Sequence, residues 1–190
     1  MGLYIQSLKG IPEDASRDYF IYLLDYGWSE PLSDALMNNY EKMAALAAEN
    51  NSVVIRGMQR VHFEDEVLSW HHINGENAEE ILPAILITNR NPARFRQSIL
   101  LERGGVEPNL KLILIPIKQC CKTTSDVVNL IEKLFNDISK KKDLTDFRIA
   151  RELKAGNGRS LADSLILEPN IGGVGISFNK LIRYFSKKRH

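Results

Sequence analysis

The run Tyr19-Phe20-Ile21-Tyr22-Leu23-Leu24, closed by Asp25, constrains this chain more than any other feature. It shows no apolar–polar alternation, so a strand built from it must be covered on both faces. Gly27 breaks the run, and Pro31 follows at a position where a first helical turn tolerates proline. Two later segments, Ala84–Thr88 and residues 110–117, are similarly apolar. Strands covered on both sides and interleaved with helical periodicity imply an α/β domain.

The remaining elements fit around these runs. Residues 3–8 form a short strand candidate, and residues 52–55 begin another that Gly57 ends. Leu32, Ala35, Leu36, Tyr40, Met43, Ala44 and Ala47 recur at helical spacing and predict one long helix reaching Asn50-Asn51. Phe63, Val67 and Trp70 predict a shorter helix with residues 64–66 in its first turn, where acidic side chains suit the helix dipole. Pro116 places the end of its strand at a sheet edge or a bulge. Thr123 and Asp126 form a capping box ahead of an amphipathic helix carrying Val127, Val128, Ile131, Leu134, Phe135 and Ile138. A first helix between the two opening strands fits only over residues 13–17.

Charge divides the chain unevenly. Residues 1–139 hold 13 Lys and Arg against 19 Asp and Glu, a net of −6, whereas residues 140–190 hold 12 against 5, a net of +7. Two regions follow: a body over 1–142 and a basic, small α+β C-terminal extension over 143–190. No run approaches the roughly 18 apolar residues of a membrane span, and residues 1–9 lack a secretory pattern. The only cysteines, Cys120 and Cys121, are adjacent. Without a disulfide framework, the expected compartment is the cytoplasm.

The order of elements over residues 1–139 resembles the thioredoxin fold, and two motifs sharpen the likeness. Trp28-Ser29-Glu30-Pro31-Leu32, after a buried strand and opening a helix, looks like the thioredoxin active-site turn Trp-Cys-Gly-Pro-Cys. Trp28 and Pro31 are retained; Ser29 and Leu32 stand where the nucleophilic and resolving cysteines would be. Leu82-Pro83, ahead of the Ala84 strand, resembles the segment in which thioredoxins place a cis-proline facing that turn. The resemblance implies a central mixed sheet flanked by helices, and a peptide-binding face around Trp28, Ser29, Pro31 and Pro83. A flavodoxin-like or other three-layer α/β domain is the alternative.

Disulfide exchange needs an activated thiolate and a resolving thiol, and this turn has neither. Ser29 is expected instead to cap the helix. No cofactor is implied. Elsewhere, Lys118 and Lys122 flank Cys120-Cys121 near a helix start, which could activate a thiol, against the plainer reading of two small loop residues. His62, His71 and His72 lack metal-ligand spacing and read as surface or capping residues. Arg90, Arg94, Arg96 and Arg103 crowd one connection and could meet an acidic surface or phosphates. The glycine clusters at 156–158 and 172–175 fit turns better than phosphate loops. The last helix sets Phe178, Leu181, Ile182 and Phe185 against Lys180, Arg183, Lys187, Lys188 and Arg189. Such a basic amphipathic helix packs on its own domain or binds a partner groove, a membrane surface or nucleic acid.

The expectation is therefore a non-catalytic thioredoxin-like adaptor or complex subunit, meeting a protein partner or a second copy of itself. Its contacts are Trp28, Ser29, Pro31 and Pro83 on one face, and Arg94, Arg96, Arg183, Phe185 and Lys187 elsewhere. The alternatives are a thiol-dependent enzyme or redox sensor using Cys120 and Cys121, and a nucleic-acid-associated factor using the basic tail.

Overall fold

A computed structural model of the chain describes residues 1–27, 29–71, 73, 81–95, 111–141 and 144. The elements run β1 (Gly2–Ile5), a 3-10 turn (Leu8–Gly10), β2 (Tyr19–Leu24), α1 (Pro31–Asn38), α2 (Tyr40–Glu49), β3 (Ser52–Gly57) and α3 (Arg60–Trp70). Then come β4 (Ala84–Thr88), β5 (Leu112–Pro116), α4 (Ile117–Cys120) and α5 (Thr124–Ser139). The strands form one sheet in the order β1-β3-β2-β4-β5. β1 and β2 run parallel to β3, while β4 runs antiparallel to both β2 and β5. The chain is an α/β protein with a mixed five-stranded sheet flanked by helices.

Burial follows the strand pleat. Phe20, Tyr22 and Leu24 point to one face with Val53, Ile55, Phe63 and Val67; Ile21 and Leu23 point to the other with Val54, Leu36, Met43, Leu134 and Ile138. β2 is thus sandwiched between α3 on one side and the α1–α2–α5 layer on the other, as its unbroken apolar run requires. Leu144, the one described residue of the expected extension, is buried in the second of these clusters, so the chain beyond α5 begins packed on its own body. The boundary at 142–143 lies outside the described residues.

Three local expectations change. Residues 13–17 form no helix: Ala15 N–H bonds the Pro12 carbonyl (3.1 Å) to close a single turn, and the side-chain amide of Asn91 donates to the carbonyls of Pro12 (2.9 Å) and Ala15 (3.0 Å), holding it in place. The single long helix is broken at Asn39, whose side-chain amide donates to the Ala35 carbonyl at 2.7 Å. That contact takes the acceptor a continuous helix would offer to the Asn39 backbone N–H. α3 begins at Arg60, which moves Glu64 out of the first turn and onto the sheet-facing side.

Other features stand as the sequence indicates. Pro31 occupies the first turn of α1, Pro116 ends the edge strand β5, and the Thr123–Asp126 capping box forms in full. Gly57 is required by close approach: a Cβ there would lie 2.3 Å from the Cβ of Phe63.

Candidate functional site

The site is built where β2 and β3 end. Asp25 leaves β2 almost fully buried, and its backbone N–H donates to Glu64 Oε1 on α3 at 2.8 Å. Gly27 takes a φ of 82°, a left-handed value that turns the chain back toward α1. Ser29 is exposed, Glu30 occupies the N-cap of α1, and Pro31 is exposed at its first turn. Trp28 lies outside the described residues.

Opposite this turn stands the start of β4. The Leu82–Pro83 peptide bond is cis, Pro83 is buried, and its carbonyl accepts from the Ile117 N–H at 2.8 Å. A shallow recess lined by Asp25, Tyr26, Glu30, Leu82, Pro83 and Lys118 joins the two segments. Lys118 Nζ lies 2.8 Å from Glu30 Oε2, so an ion pair ties α4 to the turn. Both partners are about one third exposed (35% and 33%), so the pair orients the two elements more than it stabilises them.

Ser29 does not cap α1. The helix starts one residue later than that role requires, and the Glu30 N-cap makes no side-chain cap bond. Asp34 N–H instead bonds the Glu30 carbonyl at 2.8 Å.

A second recess on the other side of Asp25 is lined by Leu23, Met37, Arg56, Gly57 and Glu64, with room for about one water. Glu64 is 1% exposed, and its Oε2 has no hydrogen-bond partner among the described residues. Burial first, with the Asp25 and Asp65 carboxylates adding to it, pushes Glu64 from an ordinary 4.5 up to about 8; its bonds from backbone N–H groups oppose the rise.

The cysteines are not activated. Cys120 is half-buried and Cys121 buried. Burial pushes both thiols up to about 12, reinforced by Cys121 at Cys120 and by Asp126 at Cys121. Lys118, which the sequence places as an activating cation, is paired with Glu30 instead.

The histidines divide. His62 is exposed, whereas His71 is a core residue and not a surface one; it stands at the C-cap of α3, with Nδ1 2.7 Å from the Val67 carbonyl, as the capping reading expects. Its ring packs against Tyr22 (centroids 5.0 Å apart) and Phe95 (4.6 Å). Among the described residues no group of three or more His, Cys, Asp or Glu converges as a metal site.

The structure brings Ser29, Pro31 and Pro83 to one end of the sheet, but Arg94 is not among them. β4 starts just after Pro83 and carries the chain away, so Arg94 emerges exposed beyond the strand's far end, where residues 92–95 are helical. Arg96, Arg183, Phe185 and Lys187 lie outside the described residues, as do His72 and both glycine clusters. Sequence reasoning missed Glu30, Lys118 and Glu64. The signal for Glu64 was its place between Phe63 and Val67 on a helix whose apolar side faces the sheet.

Among the described residues, no helix is long and apolar enough to cross a membrane. Comparison with known protein families, with characterised proteins and with solved structures finds no match. Fold and site therefore define the class directly: an α/β protein with a shallow, ion-paired surface at the ends of its central strands.

Proposed function

We propose that this chain is a redox-inactive, thioredoxin-like binding protein of the cytoplasm, acting as an adaptor or subunit in a multiprotein complex. One observation carries the reading. The turn containing Ser29 and Glu30 faces a cis Leu82–Pro83 bond across a shallow recess, and Ser29 and Leu32 occupy the positions where the resemblance calls for thiols. The strand order and the single reversed strand, β4, support the same family likeness. The absence of a helix over 13–17 is a departure from it.

Without a thiol, this face can bind an extended segment but cannot exchange disulfides. The high thiol pKa values weigh against redox or conjugation chemistry at Cys120 and Cys121.

The test is affinity capture with mass spectrometry on the full chain, beside a Ser29→Arg/Glu30→Arg variant and an insulin-reduction assay. A stoichiometric partner retained by the wild type and lost by the variant, with no insulin reduction, is the expected result. Capture unaffected by the two arginines, no stoichiometric partner, or measurable disulfide turnover would overturn the proposal.

A further inference from the structure

Among the described residues, β1 is an edge strand, paired with β3 alone. Its register is fixed by Val54 N–H on the Met1 carbonyl (2.9 Å) and Met58 N–H on the Ile5 carbonyl (2.8 Å). In a parallel ladder of that register, the N–H and C=O groups of Leu3 and Ile5 face β3. Those of Gly2 and Tyr4 then point outward, away from the sheet.

Edge strands are usually protected by charge, proline or a bulge. β1 has none of these. Residues 2–8 carry no charged side chain and no proline, and the pairing with β3 is continuous over Gly2–Ile5. The large exposed apolar side chains among the described residues are Tyr4 (51%), Met58 (45%) and Met1 (39%). All three lie on or beside this strand.

We propose that β1 pairs with β1 of a second copy of this chain, antiparallel about a twofold axis through Leu3, extending the sheet across a dimer. The occupant follows from the spacing of the outward groups. Gly2 of one copy opposite Tyr4 of the other makes a pair that exchanges both N–H···O bonds, and the twofold repeats it, giving four bonds from identical strands. Because residues 2–8 are uncharged, the symmetric pairing brings no like charges face to face. An isologous contact this short buries less than the ~1,200 Å² of a standard interface, so the dimer is a weak, concentration-dependent one.

Leu3 meets Leu3 of the second copy on the axis as a non-hydrogen-bonded pair, with Cα atoms about 4.5 Å apart, inside the range a disulfide spans. The test uses the full chain. Sedimentation velocity over a concentration series should show a monomer–dimer equilibrium that Tyr4→Lys weakens by at least about tenfold, equivalent to about 1.4 kcal/mol. Tyr4→Phe, which keeps the backbone bonds and the apolar ring, should preserve it. In a Cys120→Ser/Cys121→Ser background, Leu3→Cys should oxidise to a covalent dimer linked through residue 3. Circular dichroism establishes that each variant is folded. A wild type that stays monomeric at every concentration, a dimer indifferent to Tyr4→Lys, or a folded Leu3→Cys protein that does not cross-link would overturn the proposal.

Discussion

Replacing Glu64 by glutamine should remove most of the loss of stability that this protein suffers as pH rises from 5 to 8. The carboxyl is 1% exposed, accepts the Asp25 N–H at 2.8 Å, and is pushed from 4.5 to about 8 chiefly by burial. A group with a raised folded pKa holds its proton in the folded state while the unfolded chain releases it. Its contribution is thus undiminished below pH 4.5 and is lost as pH rises through 8. At about 1.4 kcal/mol per pH unit, the loss reaches about 3 kcal/mol at pH 7 and about 5 kcal/mol above pH 8. In the Glu64→Gln variant the side-chain amide oxygen still accepts from the Asp25 N–H, but the group cannot ionise. Urea unfolding followed by tryptophan fluorescence at pH 5, 7 and 9 measures this directly. The variant should match the wild type within about 1 kcal/mol at pH 5 and exceed it by several at pH 9. Groups that titrate alike in both proteins cancel in the difference. Parallel stability curves for the two proteins across this range would refute the reasoning.

Gly57→Ala should destabilise the fold by about 1–3 kcal/mol in the same denaturation assay, because the new methyl overlaps Phe63, a core side chain with no open space to move into. An unchanged midpoint would show that α3 can shift away from β3 at little cost. Cys120 and Cys121, with thiols near 12, should react with a maleimide in the folded state far more slowly at pH 7.5 than a free cysteine, whose thiol titrates near about 8.5. Denaturation should restore the ordinary rate, and fast labelling of the native protein would restore the case for a reactive thiol.

Much of the fold was legible because strand burial is written into composition. Six apolar residues in succession at 19–24, too few for a typical helix and closed by Gly27, mark a strand covered on both faces, and the structure places β2 between two helical layers. The capping box at Thr123–Asp126 was equally readable, since both partners lie within one turn of chain. The break at Asn39 and the single turn at 13–17 were not. Each depends on a side-chain amide choosing a particular carbonyl, in one case from Asn91, more than seventy residues away.

The site divides along the same line. The sequence by itself determined that the turn at 28–32 has no thiol, that proline precedes β4, and that the positive charge lies toward the C-terminus. Each of these is a property of residue identity at neighbouring positions. Only the tertiary structure decided that Lys118 pairs with Glu30 and that Glu64 is buried against Asp25. It alone decided that the thiols of Cys120 and Cys121 are raised rather than lowered. Charge and proton affinity answer to what surrounds a group in space, and that depends on which distant elements the sheet brings together.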